Sequence, residues 1–399
     1  MKKIISIISL IAFLSLGSLL GQDIKFANYY LHPEINEDKV ENLAKYDLLI
    51  LDPNNLFLNR EVLVSIKELN PNIKFLAYFN PMEIFKEEYI VNWGNKPIDK
   101  IISKYLHRVN IWWLTDSKGK VFEFDKRQKM LNMSDKSKEI TISYFDNQKM
   151  RYWEFITRLD LELVLSDSIW DGIFEDNFET VEWLADYDGY TGVDIDGDGK
   201  NESKEKVAKA WKAGLKKRLE LIKSEHPDYL ILANKAKIFL PELTDGKMLE
   251  NFPDHWLGTW HKNIHNAKQM QNVIINVQEE RFEMALASAL WLYDENKTIY
   301  LSIAQQDSFK SYYQDYKKLG KIKSKKIDST YFNIINKYQF TEKAENFFIN
   351  KEITKSLNSM FFFVANYNYV IEMENGIVRF NPYTDPEHPN LENFKVKYY

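Results

Sequence analysis

Carboxylate side chains follow two short apolar runs of the sequence and are the residues best suited to acid–base chemistry. Asp176 ends the run Trp170–Asp176, and Glu250 lies within the run Lys247–Asn251. Two facing carboxylates can cleave a glycosidic bond, because one protonates the departing oxygen while the other attacks the anomeric carbon or activates water. We therefore predict Asp176 and Glu250 as a catalytic pair.

The choice of Asp176 over its neighbour depends on strand geometry. Side chains alternate between the two faces of a strand, so Glu175 and Asp176 point in opposite directions. Gly172 and Phe174 share the parity of Asp176, which favours Asp176 as the residue inside the site. The alternative is that these acids cap the helices that follow, a common role for Asp and Asn.

Other polar and aromatic residues fall at the ends of similar runs or in adjoining loops. Amides and carboxylates can bond sugar hydroxyls, and aromatic rings can stack on the apolar faces of pyranoses, although core packing is the alternative for the rings. The predicted substrate-binding residues are Asn28, Tyr30, Asp52, Tyr78, Asn80, Trp113, Asn234, Trp256 and Gln305.

An acidic, glycine-containing segment at residues 194–205 matches the spacing of an EF-hand calcium loop. Gly199 permits the sharp turn that brings the oxygens to one centre. The predicted ligands are the side chains of Asp194, Asp196, Asp198, Glu202 and Glu205 and the carbonyl of Lys200. We predict a structural Ca²⁺ that takes no part in bond cleavage. The cleavage itself is predicted to require no cofactor. A solvated acidic loop is the alternative.

Alternating apolar runs and amphipathic patterns predict the elements that position these residues. The helical patterns include Glu61–Leu69, Met150–Leu165 and Lys204–Glu225. Eight strand–helix repeats without a glycine-rich first turn favour an α/β fold of the (β/α)8 TIM-barrel type over an open sheet. The predicted strands are Lys25–Tyr30, Tyr46–Asp52, Ile73–Asn80, Trp170–Asp176, Tyr229–Asn234, Lys247–Asn251, Thr298–Gln305 and Met360–Asn366.

Three segments organise the chain. Residues 1–21 have the basic start, apolar stretch and small-residue end of a signal peptide, which predicts export and no membrane span after cleavage. An uncleaved anchor is the alternative. Residues 22–369 are predicted as the barrel, with a hairpin inserted between its third and fourth strands, and residues 370–399 as a C-terminal extension.

Composition limits the chemistry and the partners. The 399 residues contain no cysteine, which excludes disulfides, thiolate metal sites and cysteine nucleophiles. With 53 Lys and Arg against 58 Asp and Glu, the net charge of −5 argues against a nucleic-acid partner. The oligomeric state is not indicated.

Several motifs together resemble a known family. They are Phe26–Tyr30, Tyr46–Asp52, Phe75–Asn80, Trp112–Asp116, Trp170–Asn177 and Met248–Phe252. Residues from about 24 to 305 resemble the hypothetical glycoside-hydrolase-like family fifteen and, more distantly, the endo-α-1,4-polygalactosaminidase type. The resemblance implies a (β/α)8 hydrolase with an Asp late on the fourth strand and a Glu on a later one, which correspond to Asp176 and Glu250.

These observations predict a secreted glycoside hydrolase that acts on a polysaccharide or its fragments. Glu250 is the expected acid/base, and Asp176 is the nucleophile of a retaining mechanism or the base of an inverting one. Two alternatives remain open: a non-catalytic carbohydrate-binding barrel, and a calcium-stabilised surface interaction protein built on the same scaffold.

Overall fold

The structure is a computed structural model of the chain. It describes residues 24–90, 96–178, 192–234, 240–253, 260–304, 309–310, 321–328, 368–373, 376–380 and 394–398. The predicted signal peptide, Trp256, Gln305 and the strand Met360–Asn366 lie outside these residues. Among the described residues, no helix is long and apolar enough to cross a membrane.

The strands are numbered in chain order. They are β1 (Lys25–Tyr30), β2 (Leu48–Leu51), β3 (Lys74–Phe79), β4 (Glu83–Phe85), β5 (Glu123–Asp125), β6 (Gln128–Met130), β7 (Ile140–Ile142), β8 (Gln148–Met150), β9 (Gly172–Glu175), β10 (Leu230–Asn234), β11 (Gly246–Leu249), β12 (Asn272–Val277), β13 (Thr298–Ile303), β14 (Ile322–Asp328), β15 (Asn368–Met373), β16 (Gly376–Phe380) and β17 (Phe394–Tyr398).

The α-helices are numbered in the same way. They are α1 (Val40–Leu43), α2 (Asn55–Leu58), α3 (Arg60–Leu69), α4 (Glu87–Ile90), α5 (Pro97–Val109), α6 (Tyr152–Asp160), α7 (Lys204–Glu225), α8 (Trp260–Lys268) and α9 (Phe282–Leu292). A π-helical turn, Leu161–Leu165, continues α6. Short 3₁₀ helices span Glu37–Lys39, Ser143–Phe145 and Glu279–Arg281.

Eight strands form a closed barrel in the order β1-β13-β12-β11-β10-β9-β3-β2. Each barrel strand neighbours the next one along the chain, and the pairs with a defined register, such as β3 with β9, are parallel. Described helices lie between the other consecutive barrel strands, as parallel connections require, while residues 235–239 between β10 and β11 lie outside the described residues. The predicted (β/α)8 fold is therefore confirmed.

One barrel strand was missed by the sequence analysis. The predicted strands up to Thr298–Gln305 coincide with barrel strands or overlap them, but β12 had no counterpart. The apolar run of β12 is interrupted by Asn276, one residue before the strand ends. Its side chain is buried and donates a hydrogen bond of 3.1 Å to Ser302 Oγ on β13. A satisfied amide of this kind is tolerated inside a buried strand.

The chain divides into two compact units, Asn28–Met248 and Met1–Ala27 with Leu249–Tyr399. In the second unit, β14 to β17 form an antiparallel sheet in chain order. The predicted barrel boundary at residue 369 falls inside β15, which pairs with β14 from Ile322 onward. Trp260 is buried in this unit, where its Nε1 donates to Ser288 Oγ over 2.9 Å.

In the first unit, a long insertion separates β3 from β9. Its strands form a three-stranded sheet, β4-β6-β5, and a two-stranded sheet, β7-β8. The predicted hairpin is present before them, because Thr115 bridges Val121 across a turn. The insertion packs closely on α7: a Cβ added at Gly214 would lie 1.7 Å from the carbonyl oxygen of Met133.

Helix α7 matches its predicted bounds. Its apolar stripe is buried and comprises Val207, Trp211, Leu215, Leu219 and Ile222. Arg218 lies on the same buried side and is 0% exposed. A charged residue in this position needs partners, and they are found at the end of β9.

Candidate active site

Asp176 follows the last residue of β9, at the carboxyl end of the fourth barrel strand. Its Oδ2 accepts a hydrogen bond of 2.6 Å from Tyr78 Oη on β3. Its Oδ1 accepts bonds of 2.8 Å from Asn234 Nδ2 on β10 and from the backbone N–H of Asn177. Three donors from two neighbouring strands and the next residue therefore fix the orientation of this half-buried carboxyl.

Tyr78 is held as a hydrogen-bond donor to Asp176. Burial is the main cause that raises its pKa well above the ordinary value, and the negative charge of Asp176 adds to the shift. The phenol therefore remains protonated at neutral pH. Its ring lies 6.2 Å from that of Phe174, nearly parallel, and 5.9 Å from that of Tyr29.

Tyr29 was missed by the sequence analysis, which selected its neighbours Asn28 and Tyr30. Its ring lies 5.5 Å from Phe174, which places it with Tyr78 and Phe174 in one aromatic group. Strand β1 is buried or half-buried at all six positions. A strand covered on both faces shows no alternation of polar and apolar residues, so the sequence does not indicate which side chains face inward. Tyr30 is buried against the ring of His32, 4.8 Å away, and Asn28 is 3% exposed.

A second set of hydrogen bonds joins the ends of β3 and β9. Glu83 Oε1 accepts from Asn80 Nδ2 over 2.5 Å and from Asn177 Nδ2 over 2.8 Å. Asn177 has a φ of +50°, a left-handed conformation that Asn adopts more readily than most residues. Predicted residue Asn80 is thus connected through Glu83 to the residue after Asp176.

The carboxyl of Glu175 points away from Asp176, as the strand alternation predicts. It is fully buried and pairs with Arg218, whose Nε and Nη2 lie 2.9 and 2.8 Å from Glu175 Oε1. Arg218 Nη1 also lies 2.7 Å from Asp160 Oδ2 at the end of α6. We call Asp160, Arg218 and Glu175 the buried triad.

The buried triad holds two acids and one base. Burial raises the pKa of Glu175 and raises that of Asp160 to about 7, while the guanidinium of Arg218 opposes both shifts. The two acids in turn raise the pKa of Arg218. The guanidinium therefore stays charged, and the acids compete for it.

Asp52, a predicted substrate-binding residue, is engaged in a separate cluster after β2. Its Oδ2 accepts from Lys96 Nζ over 2.6 Å, and its Oδ1 accepts from the side chain of Asn54 over 2.7 Å. Asp99 lies 3.6 Å from Lys96. Burial, with the charge of Asp52, raises the pKa of Asp99 to about 6, against the opposing effect of Lys96.

A cavity of about 330 Å³ connects these groups, and we call it the side cavity. Helix α5 contributes Ser103 to its wall, and α6 contributes Tyr152 and Asp160. Its polar rim includes the predicted residues Asp52, Tyr78 and Asn80 together with Glu83, Lys96 and Asp99. Ser103 is 2% exposed. Its Oγ and Asn80 Oδ1 have no hydrogen-bond partner within the described part of the chain.

Glu250 lies in the second unit, in the turn immediately after β11, the sixth barrel strand, and is half-buried. The following Asn251 has a φ of +51°, close to that of Asn177 after Asp176. Each predicted catalytic acid is therefore followed by an asparagine in the left-handed conformation at the end of a barrel strand.

Trp113 contacts the inserted region rather than the residues around Asp176. Its ring lies 5.1 Å from that of His107, and Lys129 Nζ lies 5.0 Å from its centroid. It remains half-buried. Trp113 also bridges Leu131 within the insertion, which holds its ring in that region.

Four of the predicted calcium ligands form one cluster. One carboxylate oxygen from each of Asp194, Asp196, Asp198 and Glu202 lies within 4.8 Å of the others. The carboxyl of Asp194 accepts bonds from the backbone N–H groups of Gly197 and Gly199, over 2.8 and 2.9 Å. A hard divalent cation fits such a set of oxygens.

The remaining two predicted ligands are Glu205, which lies outside that carboxylate cluster, and the carbonyl of Lys200. Glu205 is exposed in the first turn of α7, where a bond to its own backbone N–H and one to Ser203 lower its pKa. The side chain of Lys200 pairs with Asp198 over 3.2 Å. The loop closes earlier than an EF-hand loop does, through a bridge between Val193 and Glu202.

The acidic loop is attached to the insertion. The backbone N–H of Asp194 donates to the carbonyl of Thr115 over 2.9 Å. Asn132 Nδ2 donates to the carbonyl of Ile195 over 2.8 Å. The conformation of the loop is therefore coupled to the hairpin that precedes β5.

The sequence as a whole now identifies the family of this barrel. Residues 67–331 match hypothetical glycosyl hydrolase family 15. The chain belongs to this family. The match covers the strands and loops that carry Asp176, Asn234 and Glu250, which supports a glycoside hydrolase while leaving its residues unassigned. No curated protein matches the chain by sequence.

Solved structures similar to this family member include glycoside hydrolases. The glycoside hydrolase domain of PelA from Pseudomonas aeruginosa is 14% identical, with a TM-score of 0.43 over 71% of this chain and 96% of that domain. The galactosidase domain of the α-galactosidase-sucrose kinase AgaSK is 11% identical, with a TM-score of 0.49 over 90% of this chain and 46% of that one. The GH36 α-galactosidase AgaA from Geobacillus stearothermophilus is 10% identical, with a TM-score of 0.47 over 90% and 47%.

Proposed function

We propose that the chain is an exported glycoside hydrolase that cleaves a polysaccharide or oligosaccharide. The observation that carries the proposal is the carboxyl of Asp176, held at the carboxyl end of a barrel strand by Tyr78, Asn234 and a backbone N–H. Active sites of TIM-barrel enzymes lie at this end of the strands. Family membership supports the reaction class.

Asp176 is the nucleophile if the configuration is retained, or the base that activates water if it is inverted. A carboxylate that accepts from three donors, two of them side chains of neighbouring barrel strands, is oriented before substrate binds. Such pre-orientation lowers the barrier because the attacking group need not reorganise. The protonated phenol of Tyr78 can also stabilise the charge that returns to Asp176 when the intermediate breaks down.

Glu250 is the proposed acid/base. It follows a strand of the same barrel, and it shares with Asp176 the strand-end turn closed by a left-handed asparagine. Asn28, Tyr30, Asp52, Tyr78, Asn80, Trp113, Asn234, Trp256 and Gln305 remain the proposed substrate contacts. The aromatic group of Tyr29, Tyr78 and Phe174 adds Tyr29 to that set.

The test is release of reducing ends from neutral, acidic and amino polysaccharides by purified protein. Asp176→Asn and Glu250→Gln are compared with matched exposed controls, Asp228→Asn and Glu225→Gln. We expect both active-site variants to lose activity and both controls to keep it. Activity that survives in either active-site variant overturns that assignment. Binding of a glycan without any cleavage favours the carbohydrate-binding barrel instead.

We also propose that Asp194, Asp196, Asp198 and Glu202 bind a structural Ca²⁺. The convergence of their oxygens within 4.8 Å supports this site, because carboxylates at such distances repel one another unless a cation compensates their charge. Ca²⁺ at 100 times its dissociation constant would stabilise the fold by about 2.7 kcal/mol. Thermal unfolding with Ca²⁺ and with chelator is the measurement.

Glu202→Gln and Glu205→Gln form the matched pair for that measurement, since Glu205 lies outside the carboxylate cluster. We expect Glu202→Gln to abolish the stabilisation by Ca²⁺ and Glu205→Gln to retain it. Equal responses in the two variants would assign Ca²⁺ to another place in the chain.

Export is proposed from the N-terminal sequence. N-terminal sequencing of protein recovered outside the cytoplasm is expected to begin at Gln22. A mature chain that still begins with Met1 would favour the uncleaved anchor.

A further inference from the structure

The buried triad lies directly behind the proposed catalytic residue. Glu175 and Asp176 are consecutive, so the peptide between them joins the triad to the carboxyl that Tyr78 and Asn234 hold. The backbone N–H of Asp176 donates to the carbonyl of Phe79 over 2.7 Å, and the guanidinium of Arg218 lies 5.5 Å from the Phe79 ring. Arg218 therefore contacts residues at the ends of both β3 and β9.

The triad has an uneven charge. Arg218, Glu175 and Asp160 have side chains that are 0%, 0% and 3% exposed, and one guanidinium faces two carboxyls. Glu175 Oε2 has no hydrogen-bond partner within the described residues. When one acid carries a proton the triad is neutral, and when both are ionised it holds one uncompensated negative charge. Such a charge is costly in a dry interior.

We propose that Arg218 is a positioning residue for Asp176. By holding Glu175 and Asp160 together it fixes the end of β9, and loss of one proton from this triad disturbs the placement of the Asp176 carboxyl. The proposal rests on the function proposed above for Asp176.

Three features support the loss of a proton from the triad near neutral pH. Burial raises the pKa of Asp160 to about 7 and also raises that of Glu175, so a proton is held into the neutral range. Asp160 is one of the residues that line the side cavity, which places the triad beside a polar cavity. The negative charge of Asp176 contributes to the raised pKa of Glu175, so the two sides of β9 are electrostatically coupled.

Among the described residues, polar and titratable groups approach the triad from several elements. Helix α6 contributes the hydroxyl of Thr157, 3.4 Å from Arg218 Nη1, and Tyr152, whose pKa burial and the two acids raise. Strand β9 contributes Asp176. The other charged groups on the side cavity are Asp52, Glu83, Lys96 and Asp99. The Lys96 ammonium lies within 2.6 Å of Asp52, which accounts for its charge.

Kinetics of Arg218→Lys and of a matched control test the positioning role. Arg218→Lys keeps the positive charge but loses the guanidinium that contacts both Glu175 and Asp160. We expect kcat to fall about 10- to 100-fold and KM to stay within about twofold of the wild type, because displacing a reacting group lowers the rate rather than the binding. Lys217→Met, at the neighbouring exposed position, is the control and is expected to keep the kcat of the wild type. An unchanged kcat in Arg218→Lys overturns the proposal.

The pH profile distinguishes positioning from a purely structural role. Asp160→Asn imitates the protonated triad, so we expect the alkaline fall of kcat to move upward by about half a pH unit or more relative to the wild type. An alkaline limb at the same pH in both proteins shows that the triad does not act on Asp176. Glu154→Gln, at a half-buried position of the same helix where the acid pairs with Arg158, is the matched control.

Two measurements do not depend on hydrolase activity. The pKa of Asp160 rises from 3.8 to about 7 on folding, so its stabilising contribution is full below about pH 4 and is lost as the pH rises toward 7. Wild type should therefore lose stability over that range more steeply than Asp160→Asn. Equal slopes overturn the proton exchange even if no glycan is cleaved.

A crystal structure of a fold-preserving variant completes the test. Replacing the whole triad by Arg218→Met, Glu175→Leu and Asp160→Leu removes all buried charge, a change that folded proteins often tolerate. We expect the 2.6 Å contact between Tyr78 Oη and Asp176 Oδ2 to lengthen or break. If the contact is unchanged in the triple variant, the positioning role is overturned. If the contact is disturbed in the variant but the wild type cleaves no glycan, only the proposed function is contradicted.

Discussion

Glu175 and Asp176 are neighbours in the sequence, yet the two faces of β9 give them opposite surroundings. The outer face buries Glu175 completely beside the guanidinium of Arg218. The inner face holds Asp176 half-buried among uncharged donors, with no ion pair among the described residues. The carboxylate of Glu175 is occupied by its buried ion pair, whereas that of Asp176, oriented by neutral donors, remains available to a substrate.

The largest expected effect is the loss of activity when the carboxylate on the inner face of β9 is removed. Asp176→Asn should lower kcat/KM by about 10³-fold or more, because it removes the attacking carboxylate. Its unfolding free energy should change by only about 1 kcal/mol, since the hydrogen bonds involved are partly solvated. Reducing-end assays together with urea unfolding measure both quantities.

Glu175→Gln is the comparison for Asp176→Asn, and we expect it to change the unfolding free energy more than the activity. Its activity should fall less than that of Asp176→Asn. A larger loss in correctly folded Glu175→Gln would mean that the chemical residue lies on the outer face.

The second effect concerns stability on the outer face. Arg218→Met leaves two buried carboxyls without a cation and should lower the unfolding free energy by about 3–5 kcal/mol at pH 8. The loss should be smaller at pH 5, because the acids can then take up protons. Lys217→Met removes an exposed pair and should cost at most about 1 kcal/mol. Similar losses in both variants would show that burial does not distinguish these two cations.

A smaller effect tests the neutral donors of the inner face. Tyr78→Phe removes the 2.6 Å bond to Asp176 while keeping the ring against Phe174. We expect stability to fall by about 1 kcal/mol and kcat to fall about tenfold, in proportion to one hydrogen bond. Steady-state kinetics measure the change, and a kcat equal to that of the wild type would show that Tyr78 does not orient Asp176.

Asp99 provides an intermediate case, since it has a cationic neighbour and a side chain that is 34% exposed. Its pKa is raised from 3.8 to about 6, so its contribution to stability is full below about pH 4 and is lost as the pH rises through 6. Asp99→Asn should flatten that part of the stability profile by no more than about 1 kcal/mol, because solvent screens the charge. Urea unfolding at pH 4.5 and 7.5 measures it. A steeper profile in the variant would contradict the raised pKa.

The barrel was predictable because parallel strands buried on both faces leave nearly continuous apolar runs. The same property concealed the orientation of β1, so Tyr29 was passed over for Asn28 and Tyr30. Asn276 concealed β12, since its amide is satisfied by Ser302 on a strand distant in the sequence.

The surroundings of the candidate site were less predictable than its central residue. Asp176 could be chosen over Glu175 by parity, and the structure brings it to two other predicted residues, Tyr78 and Asn234. Arg218 could not be found, because it follows Lys216 and Lys217 in a helix rich in exposed cations. Only the packing of α7 on β9 distinguishes it. In the acidic loop, spacing predicted four members of the cluster but extended the set to Glu205, which belongs to the first turn of α7.

Gly214 bears on how the insertion could be redesigned. The carbonyl of Met133 occupies the space that a side chain would need there, so the insertion obliges a 22-residue helix to keep its least helix-favouring residue other than proline. Shortening the insertion would remove that obligation. Alanine at position 214 would then change from a steric clash to a gain of up to about 1 kcal/mol in helix propensity. A deletion library scored for tolerance of alanine would thus report which truncated chains have lost the contact between Met133 and α7.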